Sequence, residues 1–291
     1  MIKGSIVAMV TPMHPNGAID WKGLERLVDY HITQGTDAIV SVGTTGESAT
    51  LNPEEHAEVI AHTVKAVDGR LPVIGGTGSN STAESIALTK SAQLAGVTAC
   101  LLVVPYYNKP PQEGLYQHFR SIAEAVDIPQ ILYNVPGRTS ADIDNDTTLR
   151  LAELDNIVGI KDATNDLNRG RDLIERAPDN FFVYSGEDGT ACELMLAGAS
   201  GTISVTANVA PRMMHEMCHF AVSGDQDNAL DIDNRLRDLH AAMFVQSNPI
   251  PAKWALSQMG LINDAIRLPL ISLDAQYHSV VRAAMQSTDA A

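Results

Sequence analysis

The 291-residue chain is short of positive charge, of cysteine, of lysine and of long apolar runs. Its 20 Lys and Arg stand against 35 Asp and Glu, a formal net charge of -15 with a pI near 4.9. That balance argues against nucleic acid and against anionic membrane surfaces as partners. No stretch approaches the roughly 20 apolar residues that a membrane-spanning helix needs. The N-terminal apolar run around Ile6 to Val10 is too short for a signal peptide and carries no cleavage-site pattern, so a cytoplasmic protein is expected. Cys100, Cys192 and Cys218 are odd in number and sit among apolar neighbours, which suits reduced core thiols better than disulfides.

What the chain does have is regular alternation. Eight short apolar segments rich in β-branched residues cover 5–10, 37–42, 72–76, 100–104, 130–135, 157–161, 182–185 and 202–206. They lack polar alternation, as parallel strands covered on both faces do. Helical patterns separate them. In one, Asn52 is a cap, Pro53 takes the first helical position and Glu54 and Glu55 the first turn, with the pattern running on through Val67. Eight strand–helix units predict a (β/α)8 TIM barrel over residues 1–224. The strand pattern then stops, and residues 225–291 read as a C-terminal helical domain, with helices over 225–244, 251–259 and 274–285.

Only seven lysines occur, and most of them lie in polar helix-like or loop contexts. Lys161 closes the apolar strand Ile157-Val158-Gly159-Ile160. Burial disfavours an ammonium, and a neutral amine at a strand end is what a Schiff-base nucleophile requires. The other reading is a side chain that snorkels past the strand end. In a TIM barrel the chemistry sits at the C-terminal strand ends and the loops that follow. Those ends carry Gly43-Thr44-Thr45-Gly46-Glu47-Ser48, Tyr106-Tyr107-Asn108, Tyr133, Arg138-Thr139, Lys161, Gly186-Glu187 and Ile203. Each has a plainer reading, as a tight turn, rim packing or a solvated loop charge; their common location favours chemistry. None of the nine histidines falls there, which weakens a metal-dependent reading. Lysine, tyrosine and threonine suit imine chemistry on a carbonyl, with hydroxyls moving protons and a backbone nest holding a carboxylate.

Two motif matches are set aside. His215-Glu216-Met217-Cys218-His219 fits the H-E-x-x-H pattern of helical zinc peptidases, but it falls on the eighth helix, in the barrel's outer ring. Gly75-Gly76-Thr77-Gly78 does not complete a nucleotide-binding glycine pattern and reads as a strand-end turn.

With these residues in place, the whole chain resembles the dihydrodipicolinate synthase family, among the pyruvate-dependent class I aldolases that include N-acetylneuraminate lyase. The resemblance rests on Gly43–Ser48, Val104–Asn108, Gln112–Tyr116, Leu132–Pro136, Arg138-Thr139, Gly159–Lys161 and Ile203–Asn208. It implies condensation of pyruvate with L-aspartate 4-semialdehyde in lysine and diaminopimelate biosynthesis, without a cofactor or metal. Lys161 would form the pyruvate imine, and Thr45 with Thr44 would hold the pyruvate carboxylate. Tyr133, Thr44 and Tyr107 would relay protons, Tyr107 reaching across from a neighbouring subunit of a homotetramer built as a dimer of dimers. Arg138 would bind the carboxylate of the aldehyde, and Gly186 and the Ile203 backbone would line the pocket. Sialic-acid lyases generally lack this arginine, and a sugar-acid aldehyde is the rival acceptor. A guanidinium suits a small acidic aldehyde.

The resemblance also implies an inhibitory lysine site at Ser48, Ala49, His56, Asn80, Glu84 and Tyr106. Glu84 would meet the effector's amine and Asn80 its carboxylate. Many sensitive members have histidine where this chain has Pro53, so inhibition is expected to be retained and weakened.

Overall fold

The computed structural model describes residues 2–288. Its strands are β1 (Gly4–Ala8), β2 (Ala38–Ser41), β3 (Val73–Gly76), β4 (Ala99–Val103), β5 (Gln130–Asn134), β6 (Ile157–Asp162), β7 (Phe182–Ser185) and β8 (Gly201–Ser204). Each pairs in parallel with the next, and β8 returns to β1 through Gly4↔Gly201 and Ile6↔Ile203, so the barrel is closed. Both strand faces are apolar because both are covered. Ile6, Val40, Ile74, Leu101, Ile131 and Ile203 fill one cluster, while their neighbours Val7, Ile39, Val73 and Cys100 join a second.

The covering helices are α1 (Trp21–Thr33), α2 (Pro53–Val67), α3 (Thr82–Ala95), α4 (Gln112–Ala125), α5 (Pro136–Thr139), α6 (Asn145–Leu151), α7 (Leu167–Arg176), α8 (Asp188–Leu196) and α9 (Pro211–Ser223). Local chemistry sets their starts. At α2 the Glu55 N–H donates to Asn52 Oδ1 at 2.8 Å and the Asn52 N–H to Glu55 Oε2 at 3.2 Å, with Pro53 in the first position. Beyond α9 lie α10 (Gln226–Ala242), α11 (Ile250–Gln258) and α12 (His278–Gln286). Leu236, Leu239 and Trp254 of α10 and α11 share one buried apolar cluster with Val7 and Val42 of the barrel.

The elements expected from sequence are found, with local departures. Pro136–Thr139, after β5, form the short helix α5, with proline pre-set at its first position. β8 stops at Ser204, and Thr206–Asn208 coil into a 3-10 turn. The helix expected over 274–285 begins as a 3-10 turn, Ala275–Tyr277, because the Asp274 side chain accepts from the Gln276 N–H and tightens that start.

Two histidines are locked inside the fold. His31 Nδ1 meets Thr36 Oγ1 at 3.0 Å, and His118 Nδ1 meets Thr82 Oγ1 at 2.9 Å. Burial pulls His31 down to about 3 and His118 down to about 4, so both stay neutral at pH 5 in the folded chain. Unfolded, each takes up a proton below about 6.5. The unfolded state therefore binds more protons on acidification. Stability is full above pH 6.5 and falls toward about 4 and about 3. Each histidine should contribute a loss of up to about 1.4 kcal/mol per pH unit. Urea melts at pH 7 and pH 5 will measure it, and His31→Gln should make the slope shallower; an unchanged slope would refute the assignment.

Candidate active site

The loop after β2 folds back on itself. The Gly46 N–H donates to Gly43 O at 3.0 Å and the Glu47 N–H to Thr44 O at 3.1 Å, while Glu47 takes a left-handed φ of 59°. A Cβ at Gly46 would crowd backbone, standing 3.0 Å from Val42 Cα and 3.2 Å from Met9 O. The Thr44 and Thr45 N–H groups donate to no atom of the described residues, which leaves adjacent backbone donors free to receive an anion. Thr45 is buried, and its Oγ1 accepts from Asn248 Nδ2 at 3.0 Å.

Across the barrel, Lys161 lies on β6 in register with Tyr133 on β5 and Tyr184 on β7. It is 5% exposed, and its Nζ stands 4.3 Å from the centre of the Tyr133 ring. The snorkelling reading is thereby excluded. Gly186 closes on the lysine stem: a Cβ there would stand 2.9 Å from Lys161 Cε and 2.7 Å from Ala163 Cβ. Glu187 follows, its carboxyl pushed up by burial and by Asp188, with Lys161 and Arg138 pulling the other way. Ile203 on β8 is fully buried.

Arg138, on α5, donates from Nη2 to the Asn248 carbonyl at 3.2 Å. Tyr107 does not enter the mouth of its own barrel. Its N–H is tied to Thr139 O at 3.2 Å, its φ is 74°, and the residue is 88% exposed. A non-glycine residue in that backbone region is strained, and a fully exposed tyrosine is unusual company for strain.

Five of the six residues expected for a regulatory site, Ser48, Ala49, His56, Glu84 and Tyr106, line a cavity of about 300 Å³ that Thr44 and Arg138 also border. Asn80 is not among its lining residues; its Nδ2 donates to Tyr106 O at 3.1 Å. Glu84 Oε2 accepts from Ser79 Oγ at 2.5 Å, and burial lowers His56. Pro53 borders the same cavity from the first turn of α2.

The zinc-peptidase pattern lies on α9. His215 Nδ1 pairs with Asp37 Oδ2 at 3.0 Å, and the same carboxylate oxygen accepts from the Ser5 N–H, so His215 fastens α9 to the barrel. Among the described residues no group of three His, Cys, Asp or Glu side chains is placed to hold a metal ion. The second rejected motif has a packing role, since a Cβ at Gly76 would stand 2.3 Å from Val42 O. All three cysteines are free and buried.

Sequence reasoning missed three residues. Asn248 touches both Thr45 and, through its carbonyl, Arg138. Lys253, 1% exposed on α11, pairs with Glu47 of the β2 loop. Arg267 grips Glu55 with two bonds at 2.6 and 2.7 Å and gives its own N–H to Glu47 Oε2 at 3.1 Å. For Lys253 a clue was present, since it interrupts the apolar run Ile250-Pro251-Ala252 and Trp254-Ala255-Leu256 just as Lys161 closes one.

A closed (β/α)8 barrel whose mouth brings together a buried lysine, a backbone nest and an arginine is the architecture of a TIM-barrel enzyme. The chain belongs to the Dihydrodipicolinate synthetase family, whose profile matches residues 1–288, and it is a lyase. It is 61% identical over 285 residues to a 4-hydroxy-tetrahydrodipicolinate synthase of Nitrosomonas eutropha, covering 98% of each chain. The crystal structure of a chloride-inhibited dihydrodipicolinate synthase from Acinetobacter baumannii, complexed with pyruvate, superposes with a TM-score of 0.99 at 56% identity and full coverage of both chains. The enzyme from Cyanidioschyzon merolae with lysine bound gives a TM-score of 0.96 at 39% identity, over 100% of this chain and 99% of the other. Among the described residues no helix is long and apolar enough to cross a membrane.

Gly186→Ala should displace the Lys161 stem. Overpacking costs about 1–3 kcal/mol, and if Lys161 acts in turnover, a misplacement of about 1 Å lowers it by about 10²-fold. Steady-state rates beside melting curves will check this; near wild-type turnover would refute the fit.

Proposed function

We propose that the chain condenses pyruvate with L-aspartate 4-semialdehyde through an imine on Lys161. The observation that carries this reading is the lysine itself: buried at the end of β6, its amine against the Tyr133 ring and its stem against Gly186. The complex of the Acinetobacter relative with pyruvate supports the choice of first substrate. The Lys161 amine adds to the pyruvate ketone, water leaves, and the imine loses a methyl proton to become an enamine. The enamine carbon then attacks the aldehyde, whose oxygen takes up a proton, and transfer from the lysine to the amine of the product frees Lys161.

The pyruvate carboxylate sits at the free N–H groups of Thr44 and Thr45, where the β2 loop offers a nest. Tyr133, Thr44 and Tyr107 carry the protons, and the Ile203 backbone completes the floor. Tyr107 serves a second copy of the chain, a role that gives its 88% exposure and left-handed backbone a purpose. A homotetramer follows from the same reading, in the cytoplasm, on the route to diaminopimelate and lysine. Arg138 takes the carboxylate of the aldehyde by paired hydrogen bonds, which favours it over a sugar-acid acceptor. Borohydride added with pyruvate should place a pyruvate-derived mass on the peptide containing Lys161 and abolish activity. An unmodified peptide would sink the covalent mechanism.

Lysine inhibits from the cavity of about 300 Å³ that Ser48, Ala49, His56, Glu84 and Tyr106 line, with Asn80 braced on Tyr106 beside it. The lysine-bound Cyanidioschyzon relative supports this assignment. Thr44 borders the same cavity, so an occupant there reaches the relay directly. Titrating initial rates with lysine should show inhibition in the millimolar range, and Pro53→His should tighten it. No inhibition at millimolar lysine would remove the regulatory site.

A further inference from the structure

Asn248 belongs to neither substrate nor effector in the reading above, yet it touches the residues that hold both substrates. It lies just before α11 and is 5% exposed. Its Nδ2 donates to Thr45 Oγ1 at 3.0 Å, over a separation of 203 residues. Its carbonyl accepts from Arg138 Nη2 at 3.2 Å. Its own amide oxygen, buried, has no partner among the described residues. An amide with only its nitrogen engaged is not held by a network of its own; the backbone of its segment holds it. That segment is fixed in turn, because Lys253, five residues on, is paired with Glu47 in the Thr45 loop.

We infer that Asn248 is a positioning residue that sets the two carboxylate-binding groups relative to each other, Thr45 for pyruvate through its side chain and Arg138 for the aldehyde through its backbone. The inference rests on the pyruvate-imine reading and deepens it. The two links are chemically separable. Removing the side chain breaks the bond to Thr45 and leaves the carbonyl that Arg138 uses.

Asn248→Ala should therefore raise the pyruvate concentration for half-maximal borohydride trapping of Lys161. One lost hydrogen bond corresponds to about 3- to 10-fold. The KM for the aldehyde should change by less than about 2-fold, since the Arg138 contact is to backbone. Asn248→Ser, whose side chain is too short to reach Thr45, should reproduce the pattern and serves as the second variant should the alanine variant fold poorly. In a Thr45→Val background the Asn248→Ala effect on pyruvate should vanish, as coupled neighbours require.

An unchanged pyruvate half-saturation in both Asn248 variants would overturn the inference. So would equal shifts for both substrates, which a general loosening of the segment produces, or an effect that persists in full without the Thr45 hydroxyl. Wild-type chain that is not trapped at Lys161 would instead overturn the function on which the inference rests.

Discussion

The mouth of this barrel depends on one buried ion pair. Glu47 and Lys253 are each 1% exposed, and they join the loop after β2 to α11 across 206 residues of sequence. Burial drives Lys253 below the usual lysine range, while Glu47 pushes it back toward the charged form. Taking two such charges out of water is costly, and a well-packed apolar pair in the same space is often as stable or more so. A pair of this kind is best understood by what it places. Glu47, in the left-handed region, follows Gly43-Thr44-Thr45-Gly46, so its carboxylate anchors the loop whose Thr44 and Thr45 N–H groups donate to no atom of the described residues. Arg267 adds a second hold on the same carboxylate and a third on Glu55 at the start of α2.

The segment from Asn248 to Arg267 is therefore part of the site, although it contributes no strand end. Asn248 reaches Thr45 and Arg138, Lys253 reaches Glu47, and Arg267 reaches Glu47, Thr50 and Gly17. A barrel supplies strand ends in fixed positions but leaves the loops between them to choose their own shape. Here the polypeptide after α10 makes that choice for the β2 loop and for α5. The arrangement also explains why α10 and α11 share their apolar core with the barrel: a clamp on the mouth must itself be rigidly seated.

The barrel was legible in the sequence because its pattern is local and repeated. Strands buried on both faces read as unbroken apolar runs, and α2 announces itself through Asn52, Pro53 and Glu55 within four residues. Lys161 was legible for the opposite reason, a single charged residue where the run forbids one. Asn248 and Arg267 were not legible, since their partners lie 203 and 220 residues away and a lone polar residue near a proline or in an irregular stretch has many plainer explanations. Tyr107 stands between these cases. Its place after β4 marks it as a rim residue, but only the fold shows that it turns outward, with a strained backbone holding an aromatic ring in the open.

Two buried lysines in one chain show how environment divides a single chemistry into two roles. Lys253 is paired with a carboxylate, so its amine is engaged as an anchor of the β2 loop. Lys161 makes no ion pair among the described residues and faces the Tyr133 ring, with Gly186 against its stem. No Asp or Glu oxygen of the described residues lies within ion-pair distance of its amine. Glu187, which faces both Lys161 and Arg138, has its carboxyl pushed up by burial and by Asp188. On the proposed reading the same residue type fixes the cradle at one end of the site and reacts at the other. The fold separates the two by giving the carboxylate partner to only one of them.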